Sequence, residues 1–197
     1  MSERLASDGQ LAYKFLRPGA VGPFSGHAWP VPSGAGPGDW VHGSLDEGVC
    51  RGGVHACEGR FLARWIWEEL WVIELGGEVE ARGHKLRAPR GRLLRRVESW
   101  SAPVAKDFAE ACASRATEQA AAAPAEVALG VAGMAGDGVA AAEAARGTGD
   151  PYAAARGAAV CAYIAAMTAL RAGGRKRHDS EREWQAEWLL RELALSD

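Results

Sequence analysis

The amino-acid sequence changes character near residue 100, and this change constrains the fold more than any single motif. Six of the eight tryptophans and most of the prolines precede it, together with short apolar runs typical of strands. The segment that follows is rich in alanine and helical in pattern. A chain of 197 residues can form two such units. We therefore predict a mixed α/β unit over residues 10–100 and a helical unit over residues 102–196.

The expected fold class is α+β, with a small, mostly antiparallel sheet packed against the alanine-rich helical unit. Alternating or continuous apolar runs indicate the strands, and Gly or Pro residues separate them. Strands are predicted at 11–16, 53–57, 69–75, 82–86 and 92–97, the last two joined by a turn at 89–91. Apolar residues at helical spacing predict a short helix over 59–67. Residues 18–38 hold too many Pro and Gly for a regular element and are expected to form a long ordered loop.

Cap and breaker residues divide the helical half. Helices are predicted at 101–123, at 125–146 with a break at 136–138, at 150–170, and at 180–195. Asp150 is expected to cap the third helix, and Ser180 with Glu183 forms a capping box for the fourth. The many small residues imply close approach of the helices to one another.

Charge and cysteine content exclude several classes of protein. Lys and Arg number 23 against 25 Asp and Glu, so a strongly basic protein that coats nucleic acid is excluded and nucleic acid is disfavoured as a partner. Four cysteines are too few for a disulfide scaffold. The first ten residues lack the apolar core of a signal peptide, and Arg156 interrupts the apolar stretch 153–170. We expect a soluble cytoplasmic protein that does not enter a membrane.

The segment 50–57 concentrates the chemistry of the chain. His55 and Cys57 lie two residues apart on a predicted strand and therefore share a face. They are the candidate catalytic residues, as a Cys–His pair with an activated thiol. Cys50, His55 and Cys57 are also a candidate zinc set, and Cys50–Cys57 a candidate disulfide. Alternatively the cysteines are small buried hydrophobic residues and the histidine is hydrogen-bonded beside the core.

Four further residues are candidates for ligand binding. The loop 24–32 carries His27 and Trp29, which either form a wall of a pocket or anchor the loop on the domain. Trp67 lies off the helical stripe of its neighbours and could line a cleft. Arg87 belongs to the run 82–97, which contains no acidic residue. Its arginines could hold phosphate, or pair with the glutamates just upstream on a solvated face.

Parts of the first 100 residues resemble known proteins. The segments 13–17, 29–32, 53–57 (Gly-Val-His-Ala-Cys) and 69–78 resemble an uncharacterised family of actinobacterial proteins. The succession of a Tyr-Lys strand, a Gly-x-His segment before a helix and a Trp-Val-Ile-Glu-Leu strand is also similar to the ADP-ribosyltransferase-like α+β fold. That likeness implies an NAD pocket beside the first strand, with Glu74 or Glu78 as the glutamate of its third motif.

These patterns predict a soluble accessory or binding protein for a small anionic ligand or a protein partner. Its pocket would lie between the loop 24–32, the strand with His55 and Cys57, and the strand around Arg87. The rival hypothesis is a small transferase-type enzyme that uses an anionic or nucleotide cosubstrate. Motifs of nucleotide-hydrolysing P-loop proteins, dinucleotide oxidoreductases, α/β-hydrolases and zincins are absent from the sequence, and no cofactor is indicated.

Overall fold

The computed structural model describes residues 9–34, 36–45 and 52–196. Antiparallel sheets occupy the N-terminal half and helices the C-terminal half, so the fold class is α+β. The chain forms two compact units. The sheet unit comprises the described parts of Met1–Glu58 and Leu70–Arg96, and the helical unit comprises Gly59–Glu69 and the described part of Val97–Asp197.

The described residues of the sheet unit contain seven strands. They are β1 Gln10–Leu16, β2 Val41–His42, β3 Val54–Ala56, β4 Glu69–Gly76, β5 Glu80–Arg82, β6 Lys85–Ala88 and β7 Arg90–Arg96. Four of them form a sheet in the order β1-β4-β7-β2, and the others a sheet in the order β3-β6-β5. A bridge between Tyr13 of β1 and Cys57, which follows β3, connects the two sheets.

The core of the sheet unit is formed by side chains on the inward-facing side of these strands, which we call the inward row of each strand. Ala12 and Leu16 of β1 contribute to it, and β4 contributes Ile73. Trp29 joins them from the loop after β1. All eight residues of β4 are buried, which explains its near-continuous apolar sequence.

Three predictions for the first 100 residues require correction. The predicted strand 82–86 is divided by a hairpin, since Arg82 pairs with Lys85 and leaves only Gly83 and His84 as the turn. Gly83 has a positive φ of 64°, which glycine adopts without a Cβ clash. The segment 89–91 is not a hairpin turn, because β6 and β7 belong to different sheets. The predicted helix over 59–67 is a short 3₁₀ helix, Gly59–Arg64.

Three helices form the rest of the helical unit: α1 Ala102–Ala121, α2 Ala128–Gly147 and α3 Pro151–Glu192. Gly173 and Gly174 have non-helical torsions and break α3 into the arms 151–172 and 175–192. The side chain of Gln185 donates to the carbonyl of Ala162 at 3.0 Å. Twenty-three residues of unbroken helix would separate these groups by roughly 35 Å, so the arms form an antiparallel hairpin.

A buried polar network holds the two arms and α1 in register. Glu181 and Gln185 of the second arm are completely buried. Arg115 Nε of α1 donates to Glu181 Oε2 at 2.7 Å, and Gln185 Nε2 donates to Glu181 Oε1 at 3.0 Å. Because the buried carboxylate accepts from both partners, the network specifies one register of the hairpin.

The helix boundaries confirm one cap and correct two predictions. Asp150 caps α3, since its Oδ1 accepts from the amide of Tyr152 at 3.0 Å. The predicted break at 136–138 is absent, since α2 runs through it. Gly138 lies against Ile164, where an added Cβ would come within 3.2 Å. Ser180 does not open a helix but lies inside the second arm, which begins five residues earlier.

The apolar character of α3 reflects its place in the helical unit. Among the described residues it is the one helix whose length and composition suffice to cross a bilayer, with a window of mean hydropathy 1.5. Half of that window is buried inside the fold.

Candidate functional site

A lysine occupies the inward row of β1. Side chains of a strand alternate between its faces, so Lys14 points to the same side as Ala12 and Leu16, which both belong to the core. Lys14 Nζ donates to the main-chain carbonyl of His55 at 2.6 Å. The same ammonium lies 4.9 Å from the centre of the Trp29 ring. The sheet unit therefore places a cation against an aromatic face at the margin of its core.

The segment after β1 folds back to bring Trp29 onto Lys14. Val21 forms bridges with Arg17 and with Ala28, and the amide of Trp29 donates to the carbonyl of Ala20 at 3.0 Å. These contacts bury Trp29, and the exposed His27 ring meets it edge-on, with 5.8 Å between ring centres. The candidate residues of the loop are thus brought together, and they meet the sheet at Lys14.

Main-chain pairing also brings His55 of β3, and Cys57 just after it, next to Lys14. Tyr13 and Cys57 exchange two N–H···O bonds, each of 2.8 Å. This pairing sets β1 beside β3, so the carbonyl of His55 faces Lys14. Cys57 is buried at 1 % exposure. The sequence-predicted pair is therefore adjacent to an amine that the sequence did not single out.

The electrostatics of the site favour the amine over the thiol. Burial lowers the pKa of Lys14 to about 8, and the neighbouring Cys57 opposes this only in part. Burial also raises the pKa of Cys57 to about 12, against a smaller lowering by Lys14. At neutral pH Cys57 is therefore a protonated thiol. Because the pKa of Lys14 is about 8, a fraction of the lysine is the neutral amine at this pH. A catalytic role for His55 and Cys57 stays a prediction.

Arg87 is engaged by the backbone of the loop that precedes β3. It pairs with His55 across β3 and β6, and its side chain is buried. Its Nε donates to the carbonyl of Gly52 at 3.0 Å, and its Nη2 donates to the carbonyl of Leu45 at 2.9 Å. Glu80 lies 3.8 Å from its Nη1. Arg87 therefore binds the main chain at Leu45 and Gly52. Its predicted role in ligand binding stays a prediction.

Trp67 lies in the helical unit and not with the residues above. Its carbonyl accepts from Trp100 Nε1 at 2.8 Å. The ring of Tyr152 lies 6.3 Å from its own, and the guanidinium of Arg156 lies 5.6 Å from its centre. Its surroundings are thus those of an aromatic cluster within the helical unit.

Two arginines of the run 82–97, which contains no acidic residue, lie on one tryptophan of the sheet unit. Arg90 and Arg92 both stack on Trp40, at 4.6 and 4.5 Å from its ring centre. Arg92 Nε also lies 2.6 Å from Glu74 Oε2. Glu74, a candidate glutamate from the transferase likeness, is therefore buried and ion-paired, whereas Glu78 is exposed.

The metal hypothesis depends on a cysteine that lies outside the described residues. Cys50 is that residue, so neither the zinc set nor the Cys50–Cys57 disulfide is tested by the structure. Within the described ranges, no three His, Cys, Asp or Glu side chains come close enough together to hold a metal ion.

Lys14 is the functional candidate that the sequence analysis missed. The aromatic residues Tyr13 and Phe15 alternate on one face of β1, whereas the other face carries the lysine. A single lysine between apolar residues two positions before and two positions after it, in a chain with only four lysines, is the signal that indicates it.

Comparisons of the chain with known protein families, with curated proteins and with solved structures found no match.

Proposed function

We propose that this protein binds a small anionic molecule at Lys14, with Trp29 and His27 as the aromatic wall of the site. One observation carries the proposal: the contacts of the Lys14 ammonium are the carbonyl of His55 and the face of Trp29. Among the residues that the structure describes, no carboxylate pairs with it. Among the described residues, the site thus holds a partly buried cation whose partners are neutral.

An anion is the ligand that this arrangement favours most. Removing an ammonium from water is costly, and a carbonyl or a ring face offsets only part of that cost. A carboxylate or phosphate beside Nζ would gain Coulomb energy that is larger in the partly buried site than in water. A flat apolar group on the same ligand would lie against the indole of Trp29, so we expect an aryl or heterocyclic anion.

Binding of model anions tests this proposal. Benzoate and phenyl phosphate should raise the melting temperature of the protein, and benzamide, the neutral analogue of benzoate, should not. Lys14→Gln should abolish both shifts, whereas Lys176→Gln, at an exposed position of the helical unit, should leave them unchanged. Each variant is compared with its own ligand-free melting temperature. Equal effects of benzoate and benzamide, or shifts that survive Lys14→Gln, would contradict the proposal.

The pH dependence of binding gives a second readout. The pKa of Lys14 is about 8, so the ammonium that attracts the anion is lost above that pH. The affinity for benzoate should therefore fall as the pH rises from 7 to 9. A lysine of ordinary pKa would keep its charge over this range, so an affinity constant from pH 7 to 9 would assign the binding to another group.

A further inference from the structure

We infer that Lys14 forms an imine with a ligand that carries an aldehyde or ketone group. This inference rests on the proposed function for the location of the site and deepens it, because it names the ligand class as a carbonyl compound with an anionic group. Its basis is the geometry around Nζ: an inward strand position, one fixed hydrogen bond and one aromatic wall.

The hydrogen bond to His55 suits a neutral amine as well as an ammonium. A neutral amine has two N–H groups and one lone pair, and donation to the carbonyl of His55 uses one N–H. Because the carbonyl only accepts, it leaves the lone pair of Nζ available for reaction. The bond also restrains the position of Nζ at the end of a long side chain, which orients the nucleophile.

The surroundings of Lys14 favour the neutral amine at physiological pH. Ala12, Leu16 and Trp29 are apolar neighbours on its face, and Cys57 is a protonated thiol. With a pKa of about 8, about one molecule in ten carries the neutral amine at pH 7, against roughly three in ten thousand for an ordinary lysine. Desolvated lysines of this kind are the ones that form Schiff bases.

The reaction needs no oxidant or metal. The lone pair of Nζ attacks the carbonyl carbon, and the electrons of the C=O π bond move to oxygen. Transfer of a proton from nitrogen to that oxygen gives a carbinolamine, which loses the hydroxyl and the second nitrogen proton as water while C=N forms. Protonation of the imine by solvent yields an iminium beside the anionic group of the ligand, so the charge pair of the proposed complex is retained.

The three other lysines of the chain are internal controls for this chemistry. Lys106 is the closest match, since its Nζ also donates to a main-chain carbonyl, that of Thr148, at 2.6 Å. It extends from α1 and not from an inward strand row. If a carbonyl hydrogen bond were sufficient for reactivity, Lys106 would react as Lys14 does. Lys85 on β6 and Lys176 in the second arm of α3 complete the set.

Reductive trapping of the intact wild-type protein tests the inference. The protein is incubated at pH 7 with cyanoborohydride and either glyoxylate, an anionic aldehyde, or propanal, an uncharged one. Peptide mass spectrometry then gives the rate of adduct formation at each lysine. We expect Lys14 to be labelled about tenfold faster or more than each other lysine, as its larger neutral fraction implies. The selectivity should vanish in urea.

The outcomes separate the inference from the function on which it rests. Equal labelling of all four lysines, or slow labelling of Lys14, would overturn the imine. If Lys14 is labelled selectively but equally by glyoxylate and propanal, the imine stands and the preference for an anion fails. If benzoate binds at Lys14 and neither aldehyde labels it, the binding function stands and the imine is excluded.

Discussion

Lys14 is held in the folded protein at a cost in stability. Its neighbours along the inward row of β1 are apolar, and the folded protein disfavours its charge, as the lowered pKa records. A lysine among apolar neighbours lowers the stability of the folded protein where only packing is required. Perturbed pKa values concentrate at functional sites. The cost should be measurable.

Lys14→Met should therefore stabilise the protein at pH 7. A shift in pKa from 10.5 to about 8 corresponds to a cost of at most about 3 kcal/mol for the charged form. Loss of the bond to His55 and partial solvation of the ammonium reduce the gain, and we expect about 1–2 kcal/mol. Urea unfolding of the variant and the wild type measures this difference.

The pH dependence fixes the sign of this effect. Between pH 8 and 10.5 the unfolded lysine keeps its proton and the folded one loses it, so wild-type stability rises with pH through this group. The advantage of Lys14→Met should be largest below pH 8 and smaller at pH 9. A stabilisation that does not change with pH, or one shared by the control Lys176→Met, would assign the effect to packing or to helix propensity.

The sequence predicts the strands around Lys14 but not the pairing between them. The alternation of residues 11–16 correctly predicts a strand, and the run 53–57 correctly predicts β3. A strand has two faces, however, and pairing decides which neighbours each face meets. The exchange of bonds between Tyr13 and Cys57 joins segments more than 40 residues apart, and no local pattern specifies it. The bond of Lys14 to His55 follows from that pairing, whereas its contact with Trp29 follows from the fold-back of the segment after β1.

At the scale of elements, glycines of similar local sequence behave differently. The doublet 173–174 breaks α3 between the predicted helices 150–170 and 180–195, whereas the glycines at 136 and 138 leave α2 intact. Gly174 has φ 73° and ψ −167°, a conformation that is almost restricted to glycine. Gly138 is helical, and its lack of a side chain admits Ile164. Packing partners, which a single sequence does not reveal, make the difference.

Alanine substitutions distinguish the glycine that breaks a helix from a glycine in a helix interior. Gly174→Ala should destabilise the protein by about 1–3 kcal/mol, because the torsions that reverse the chain are strained for any residue with a Cβ. Among the described residues, apart from its chain neighbours, no atom lies within 4 Å of a Cβ added to Gly174. The expected loss of stability is therefore due to backbone conformation and not to a steric clash. Gly133→Ala, inside α2 with equally open surroundings, should stabilise by about 0.5–1 kcal/mol. Thermal unfolding followed by circular dichroism measures both, and equal effects would contradict the assignment.

At the scale of the whole molecule, composition and contacts divide the chain differently. The change near residue 100 reflects where strands give way to long helices. Contacts instead assign Gly59–Glu69 to the helical unit, although this segment lies between two strands of the sheet unit in sequence. The 3₁₀ helix in this segment packs against α3, and the carbonyl of Trp67 accepts from Trp100. The change in composition near residue 100 does not reveal that residues 59–69 belong to the helical unit.

The inserted segment should therefore be needed for the stability of the helical unit. A fragment of residues 97–197 exposes the surface of α3 that the 3₁₀ helix covers and leaves Trp100 Nε1 without its acceptor. Fusion of residues 59–69 to the start of that fragment through a flexible Gly-Ser linker should raise its melting temperature, measured by circular dichroism. The control is the same fusion with Leu62→Ser and Ile66→Ser, which removes two buried apolar side chains. If the fused and unfused fragments melt alike, the segment is merely adjacent to the helices; if only the unaltered fusion melts higher, its apolar face completes their core.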